Sequence, residues 1–333
     1  MRASVAIIGG GGWGTALAVT MAKCHDPVRL WVFEPDLVET IQRERLNPVY
    51  LPDVEIPRQV HPSASLEEVL EGARIVISAV PSHVCRGVFS QMLPLIRPEM
   101  VFVTATKGIE NGSLMRMSEV IQDVVGPSFS PRVAAISGPT FALEVAREEP
   151  TALVVAGPEE DLRRQLQLEL STPRFRLYTN PDIVGVEIGG AVKNVVAIAA
   201  GVVSGMKLGH NVTAALITRG LAEIMRLAEA CGGRRDTLAG LAGLGDLVLT
   251  CNGRLSRNRQ LGVALGQGVH LAEIVGNTRM IAEGVRTSKS AVTLARKLSV
   301  EMPIAEQVYS ILYEDKHPRD AINTLMERAL TEE

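Results

Sequence analysis

A doubly wound α/β domain followed by a helical one is what this 333-residue sequence predicts. Three observations carry the prediction. Short runs rich in Val and Ile alternate with helix-length segments through the first half. A glycine-rich loop follows the first of these runs. Beyond about residue 182 strand-like runs nearly vanish and a 3.6-residue apolar period takes over.

The runs are VAIIG at 5–9, VRLWVF at 28–33, RIVISAV at 74–80, MVFVTAT at 100–106, VAAIS at 133–137 and TALVVAG at 151–157. They are near-continuously apolar, which fits strands of a mostly parallel sheet covered on both faces. The helical patterns fall at 184–206, 211–231, 257–266, 287–298, 303–314 and 318–330. In NVTAALITRGLAEIMRLAEACGG an Asn start and a Gly-Gly stop bracket one of them. The expected domains are 1–185 and 186–333, with no internal repeat and no low-complexity segment.

Composition narrows the function class. Hydrophobic residues make up 46% and charged residues 21%, enough for a large core and against global disorder. The net charge of −3 leaves no footprint for a nucleic acid. Cys24, Cys85, Cys231 and Cys251 are far apart, without a CxxC pair, and the six histidines form no HExxH. No metal is expected, and the cysteines read as reduced thiols of a cytoplasmic protein. No basic leader precedes VAIIGGGGWG, so a cleaved signal is not expected. EIGGAVKNVVAIAAGVVSG, residues 187–205, holds Glu187, Lys193 and several glycines, and reads as a buried helix rather than a membrane span.

The glycine loop has the spacing Gly9-x-Gly11-x-x-Gly14, between a strand and a helix opening at Thr15. Gly9 suits a tight turn, Gly11 lets the backbone approach a pyrophosphate, and Gly14 permits close helix–strand packing. The phosphates then meet free N–H groups at a helix start. Glu34 lies 20 residues beyond Gly14, after the second run, where a ribose-binding carboxylate belongs.

Further candidates sit where a parallel sheet presents ligands. Lys107 follows the fourth run and Gly138-Pro139-Thr140 the fifth. A surface lysine, and an ordinary turn with Thr140 as N-cap, are the competing readings. Lys193 and Asp246 each stand alone in apolar, glycine-rich surroundings, and the cost of a lone buried charge invites their pairing. That pair is structural or catalytic; the residues alone leave both open. Ser256 reads as a helix N-cap before Arg257, Asn258 and Arg259. This start suits a phosphate, or is simply a solvated basic turn.

GxGxWGTALA, TKGIE, SGPTFAxEVA, GGAVKNVVAI, GLGDLVLTC, SRNR and EGVRT occur here in the order they take in the NAD(P)-dependent glycerol-3-phosphate dehydrogenases. Essentially the whole chain resembles that family. The resemblance implies a Rossmann-type domain followed by an all-helical substrate domain, with the active site at the domain interface. It implies sn-glycerol 3-phosphate and dihydroxyacetone phosphate as substrates, NAD as cofactor with NADP possible, a homodimer, and a place in glycerophospholipid metabolism.

Residue by residue, the resemblance makes Lys193 the general acid/base and Lys107 a second active-site lysine that also meets the cofactor. Asn194 and Lys107 polarise the C2 oxygen, and Asp246 directs Lys193. Gly138, Thr140, Asp246, Thr250, Ser256, Arg257 and Asn258 join Lys107 and Lys193 in the substrate pocket, with Arg257 as phosphate clamp and cofactor neighbour. Gly9, Gly11, Gly12, Trp13, Gly14, Phe33, Glu34, Ala142, Ile281 and Glu283 fall on the cofactor side.

WVFEPD stands where many bacterial-type members carry an Arg near Phe33, and looks like the NAD-preferring members. Arg29 is expected at the far end of the sheet, so NAD(H) should be preferred to NADP(H). Three alternatives remain open here: another phosphorylated or carboxylated hydroxy-acid dehydrogenase of the same plan, a non-enzymatic NAD sensor, or a structural protein, which would not need the glycine fingerprint.

Overall fold

Residues 4–276 and 282–329 are described by a computed structural model. The chain divides into two compact units, Met1–Lys107 with Met115–Glu187, and Gly108–Leu114 with Ile188–Glu333.

The first unit alternates strand and helix: β1 (Val5–Ile8), α1 (Gly12–Met21), β2 (Val28–Trp31), α2 (Pro35–Glu44), β3 (Val60–Ser63), α3 (Leu66–Leu70), β4 (Ile75–Ser78), α4 (Cys85–Met92), β5 (Val101–Thr104), α5 (Met117–Val125), β6 (Arg132–Ser137), α6 (Ala142–Ala146), β7 (Thr151–Ala156), α7 (Glu160–Leu170) and β8 (Phe175–Asn180). The strands form one sheet in the order β3-β2-β1-β4-β5-β6-β7-β8. Every neighbouring pair is parallel except β6–β7. Sequence order reverses between β1 and β4, the place where a doubly wound sheet opens a ligand crevice.

The central strands are buried on both faces because they are almost wholly apolar. Val5 and Ile7 join one core with Leu17, Ile41 and Leu166, while Ala6 and Ile8 join another with Phe89, Phe102 and Ile121. Successive residues thus feed opposite layers, as a period-2 strand requires. The sequence reading missed two strands, and they are the two edges. β3 is VHPS, whose Pro62 is tolerated only at an edge, and β8 is FRLYTN, with alternating burial. Neither is an aliphatic run.

In the second unit the described residues form helices and no named strand: α8 (Ile183–Gly205, belonging to this unit from Ile188), α9 (His210–Ala230), α10 (Arg235–Leu238), α11 (Asp246–Asn252), α12 (Arg257–Gly266), α13 (Leu271–Gly276), α14 (Glu283–Lys297), α15 (Pro303–Tyr313) and α16 (Pro318–Met326). α8 is long and apolar enough to cross a membrane, yet its most apolar window is 83% buried within the protein. A helix apolar all round belongs in such a core.

Two contacts fix the helices that matter here. α8 meets α12 through glycines: a Cβ on Gly262 would collide with the Ile198 carbonyl, and one on Gly201 with that of Arg259. Elsewhere the buried Glu223 of α9 accepts N–H bonds from Ile304 (2.7 Å) and Ala305 (3.1 Å), satisfying the open start of α15. Burial pushes its carboxyl up to about 7, against the pull of those two N–H bonds.

Candidate active site

In the first unit the glycine loop lies at the β1–β4 reversal. Gly9 has φ +126°, and a Cβ there would lie 2.9 Å from the Ala79 carbonyl. A Cβ on Gly14 would strike the Gly9 carbonyl oxygen, so α1 can start this close to β1 only with glycine. Gly11 has open space where a Cβ would stand, and no side chain caps the start of α1. The opening turn, with Gly12 and Trp13, therefore keeps N–H groups for an anion. Trp13 Nε1 is buried without a hydrogen-bond partner. Ala142, the first residue of α6, is the side chain nearest Gly12. An open glycine cradle facing unspent N–H donors fits a dinucleotide.

Phe33 and Glu34 follow β2. Phe33 is 73% exposed and meets Trp31 edge-on at 6.1 Å. Glu34 precedes α2 and accepts a hydrogen bond from the Tyr50 hydroxyl at 2.7 Å. Arg29 donates to Ser4 Oγ and to the Glu71 carbonyl, near the opposite ends of the strands, as expected. Lys107, beyond β5, donates to the Gly138 carbonyl (3.0 Å) and to Thr140 Oγ1 (3.3 Å). Lys107 and the Gly138–Thr140 turn, which follow different strands, thus form one cluster. Thr140 is not an N-cap: Phe141 precedes α6, and the Thr140 hydroxyl donates back to Gly138 at 3.1 Å.

In the second unit α8 carries Lys193 and Asn194, both buried. Lys193 Nζ donates to the Asp246 carboxylate and, at 2.9 Å, to Thr250 Oγ1. Asp246 and Thr250 are four apart on α11, hence on one face, and the Thr250 hydroxyl donates to the Asp246 carbonyl at 2.6 Å. A π-helical turn, Leu241–Gly245, leads into α11, a device common at functional sites. Next in sequence, burial pushes the Cys251 thiol up to about 12, so that thiol is no proton carrier.

Ser256 caps α12, its Oγ accepting the Arg259 N–H at 3.2 Å. Asn258 Nδ2 donates to Asn194 Oδ1 and Asn258 Oδ1 accepts the Gly284 N–H, both at 2.9 Å. One amide therefore ties α8, α12 and α14 together. Arg257 is exposed, yet desolvation by its surroundings pulls its guanidinium pKa down while Glu283 opposes this. The residue stays cationic in any case. Ile281 lies outside the described residues. No metal-binding group of His, Cys, Asp or Glu occurs among the described residues.

Two residues that no motif singled out belong beside the glycine loop. Asn47 donates to the Gly10 carbonyl and to Thr15 Oγ1, and Tyr50 reaches Glu34.

The family description "NAD-dependent glycerol-3-phosphate dehydrogenase N-terminus" matches residues 4–163, and the corresponding C-terminus matches 182–323. The NAD(P)+ glycerol-3-phosphate dehydrogenase of Koribacter versatilis is 56% identical over 331 residues, covering 99% of this chain and 98% of the relative. That of Geobacter sulfurreducens is 49% identical over 333 residues, covering 100% and 99%. The crystal structure of glycerol-3-phosphate dehydrogenase from Coxiella burnetii superposes with a TM-score of 0.94 at 42% identity, over 98% of this chain and 99% of that one. A ketopantoate reductase from Ralstonia eutropha, at 16% identity and a TM-score of 0.60, shares the fold alone. This chain belongs to the NAD-dependent glycerol-3-phosphate dehydrogenase family.

Proposed function

We propose that the protein interconverts sn-glycerol 3-phosphate and dihydroxyacetone phosphate with NAD, NADP being permitted, and that Lys193 carries the proton. The observation behind that role is the buried ammonium of Lys193, directed by Asp246 and Thr250 in an otherwise apolar helix.

A bound nicotinamide supplies or accepts the hydride at C2. The rest is the work of this chain. In reduction, the C2 oxygen gains negative charge as the hydride arrives, and Lys193 Nζ gives it a proton; in oxidation the same nitrogen takes the proton back. Two fixed acceptors, Asp246 and Thr250, hold Nζ in one direction, so little freedom is lost at the moment of transfer. Lys107, anchored on Gly138 and Thr140, and Asn194 are assigned to polarise that oxygen. Arg257 is assigned to the substrate phosphate, with Ser256 fixing the turn that carries it. Asn258 ties α8, which bears Lys193 and Asn194, to α12, which bears Arg257.

Absorbance at 340 nm tests the reading. Purified protein with NADH and dihydroxyacetone phosphate should consume NADH, and unphosphorylated dihydroxyacetone should react far more slowly. No consumption, or equal rates with both ketones, would refute it. The preference for NAD(H) rests on Glu34 and on Phe33, an apolar face beside the ribose end. We further place the protein in the cytoplasm as a homodimer. The wide spacing of Cys24, Cys85, Cys231 and Cys251, read as reduced thiols, supports the first, and sedimentation at equilibrium tests the second.

A further inference from the structure

The segment between α2 and β3 works as a strap across the cofactor end of the first unit. Asn47 is 0% exposed. Its Nδ2 donates to the Gly10 carbonyl at 2.9 Å and to Thr15 Oγ1 at 2.8 Å, while its Oδ1 accepts the Tyr50 N–H at 3.0 Å. An antiparallel bridge between Asn47 and Leu51 closes the turn. The Tyr50 carbonyl oxygen lies 2.7 Å from where a Gly12 Cβ would stand, so the strap runs against the glycine loop itself. The Tyr50 ring then reaches the other way, its hydroxyl donating to Glu34 Oε1 at 2.7 Å.

Glu34 shows what this contact achieves. It occupies the N-cap position of α2, yet its side chain makes no capping bond to that helix. Tyr50 holds it elsewhere. Five residues of strap therefore join the loop suited to a pyrophosphate to the carboxylate suited to a ribose.

We propose that Asn47 and Tyr50 are positioning residues that set coenzyme choice: they hold the Glu34 carboxylate, one oxygen engaged by Tyr50, in fixed register with the glycine loop. Held so, Glu34 meets the ribose hydroxyls of NAD(H) and repels the 2′-phosphate of NADP(H). The proposal rests on the reading of Glu34 as the ribose ligand.

Equilibrium binding of NADH and of NADPH to the full chain, followed by titration calorimetry, tests it without reference to turnover. Tyr50→Phe should weaken NADH about 3- to 10-fold, the worth of one ordinary hydrogen bond, and leave NADPH unchanged or tighter. In a Glu34→Ala background the Tyr50→Phe change should have no effect. Equal weakening of both coenzymes by Tyr50→Phe, or no change at all, would overturn the proposal. If Glu34→Ala alone left the NADH-to-NADPH ratio unchanged, the ribose reading of Glu34 would itself fail. If Glu34→Ala shifted the ratio and Tyr50→Phe did not, only the strap would be wrong. A thermal scan of Tyr50→Phe confirms that the variant is folded.

Discussion

Removing the Lys193 ammonium separates the catalytic from the structural meaning of its ion pair. The side chains of Lys193 and Asp246 are 7% and 1% exposed. Deleting one partner of a buried pair costs about 3–5 kcal/mol, because the other charge is left without compensation. Against a total stability of about 5–15 kcal/mol, Lys193→Ala alone would confuse lost chemistry with lost folding. Lys193→Met combined with Asp246→Asn keeps volume in the site, leaves no stranded charge, and should recover most of the stability. Its kcat should still fall by about 10²–10⁴, the usual contribution of a positioned general acid. That is about 2.7–5.5 kcal/mol of barrier at 1.36 kcal/mol per decade. The assay is NADH oxidation at 340 nm with saturating dihydroxyacetone phosphate, beside a urea titration of each variant. NADH binding should be retained. A folded double variant within tenfold of wild-type kcat would end the proton-carrier assignment.

Other outcomes follow from the same geometry. Arg257→Ala should raise the KM for dihydroxyacetone phosphate about 10- to 100-fold, from a charge-assisted contact of about 1.5–3 kcal/mol, with an unchanged urea midpoint; an unchanged KM contradicts the phosphate clamp. Gly262→Ala pushes a methyl against the Ile198 carbonyl and should cost about 1–3 kcal/mol by overpacking, read as a lower urea midpoint. Burial raises the Glu223 carboxyl from 4.5 to about 7. Since the folded value is the higher one, this contribution is full below about pH 4.5 and is lost as the pH rises through about 7, on the order of 3 kcal/mol at most. Wild type should lose more stability than Glu223→Gln between pH 6 and pH 8, and equal losses would show that Glu223 does not titrate there.

What could be read from the sequence was what physics makes local. Central strands such as VAII and VFVT are almost wholly apolar because both faces are covered, so they stand out in the chain. The edge strands VHPS and FRLYTN face water on one side and look like loops. Lys193 and Asp246 were legible because a charge in apolar sequence must be compensated, and the structure supplies the pairing that spacing could not. Thr250 adds a partner four residues along α11. The Thr140 N-cap reading failed because a turn residue's hydroxyl has several backbone carbonyls within reach, and only the folded loop selects Gly138.

Asn47 and Tyr50 mark where such reading ends. The glycine fingerprint is a demand on a few consecutive residues: a positive φ, an absent Cβ, a free N–H. The strap is a demand on positions 16 to 37 residues apart in the chain, met by an amide and a phenol that many other residues could replace without disturbing a strand or a helix. Nothing in LNPVYLP is apolar-periodic, charged or glycine-rich, so it carries no local signature. Yet it touches both the loop suited to phosphate and the carboxylate suited to ribose. Coenzyme choice therefore depends on a tertiary relation that the fingerprint does not contain, and two chains with the same glycines and the same acid can differ in it.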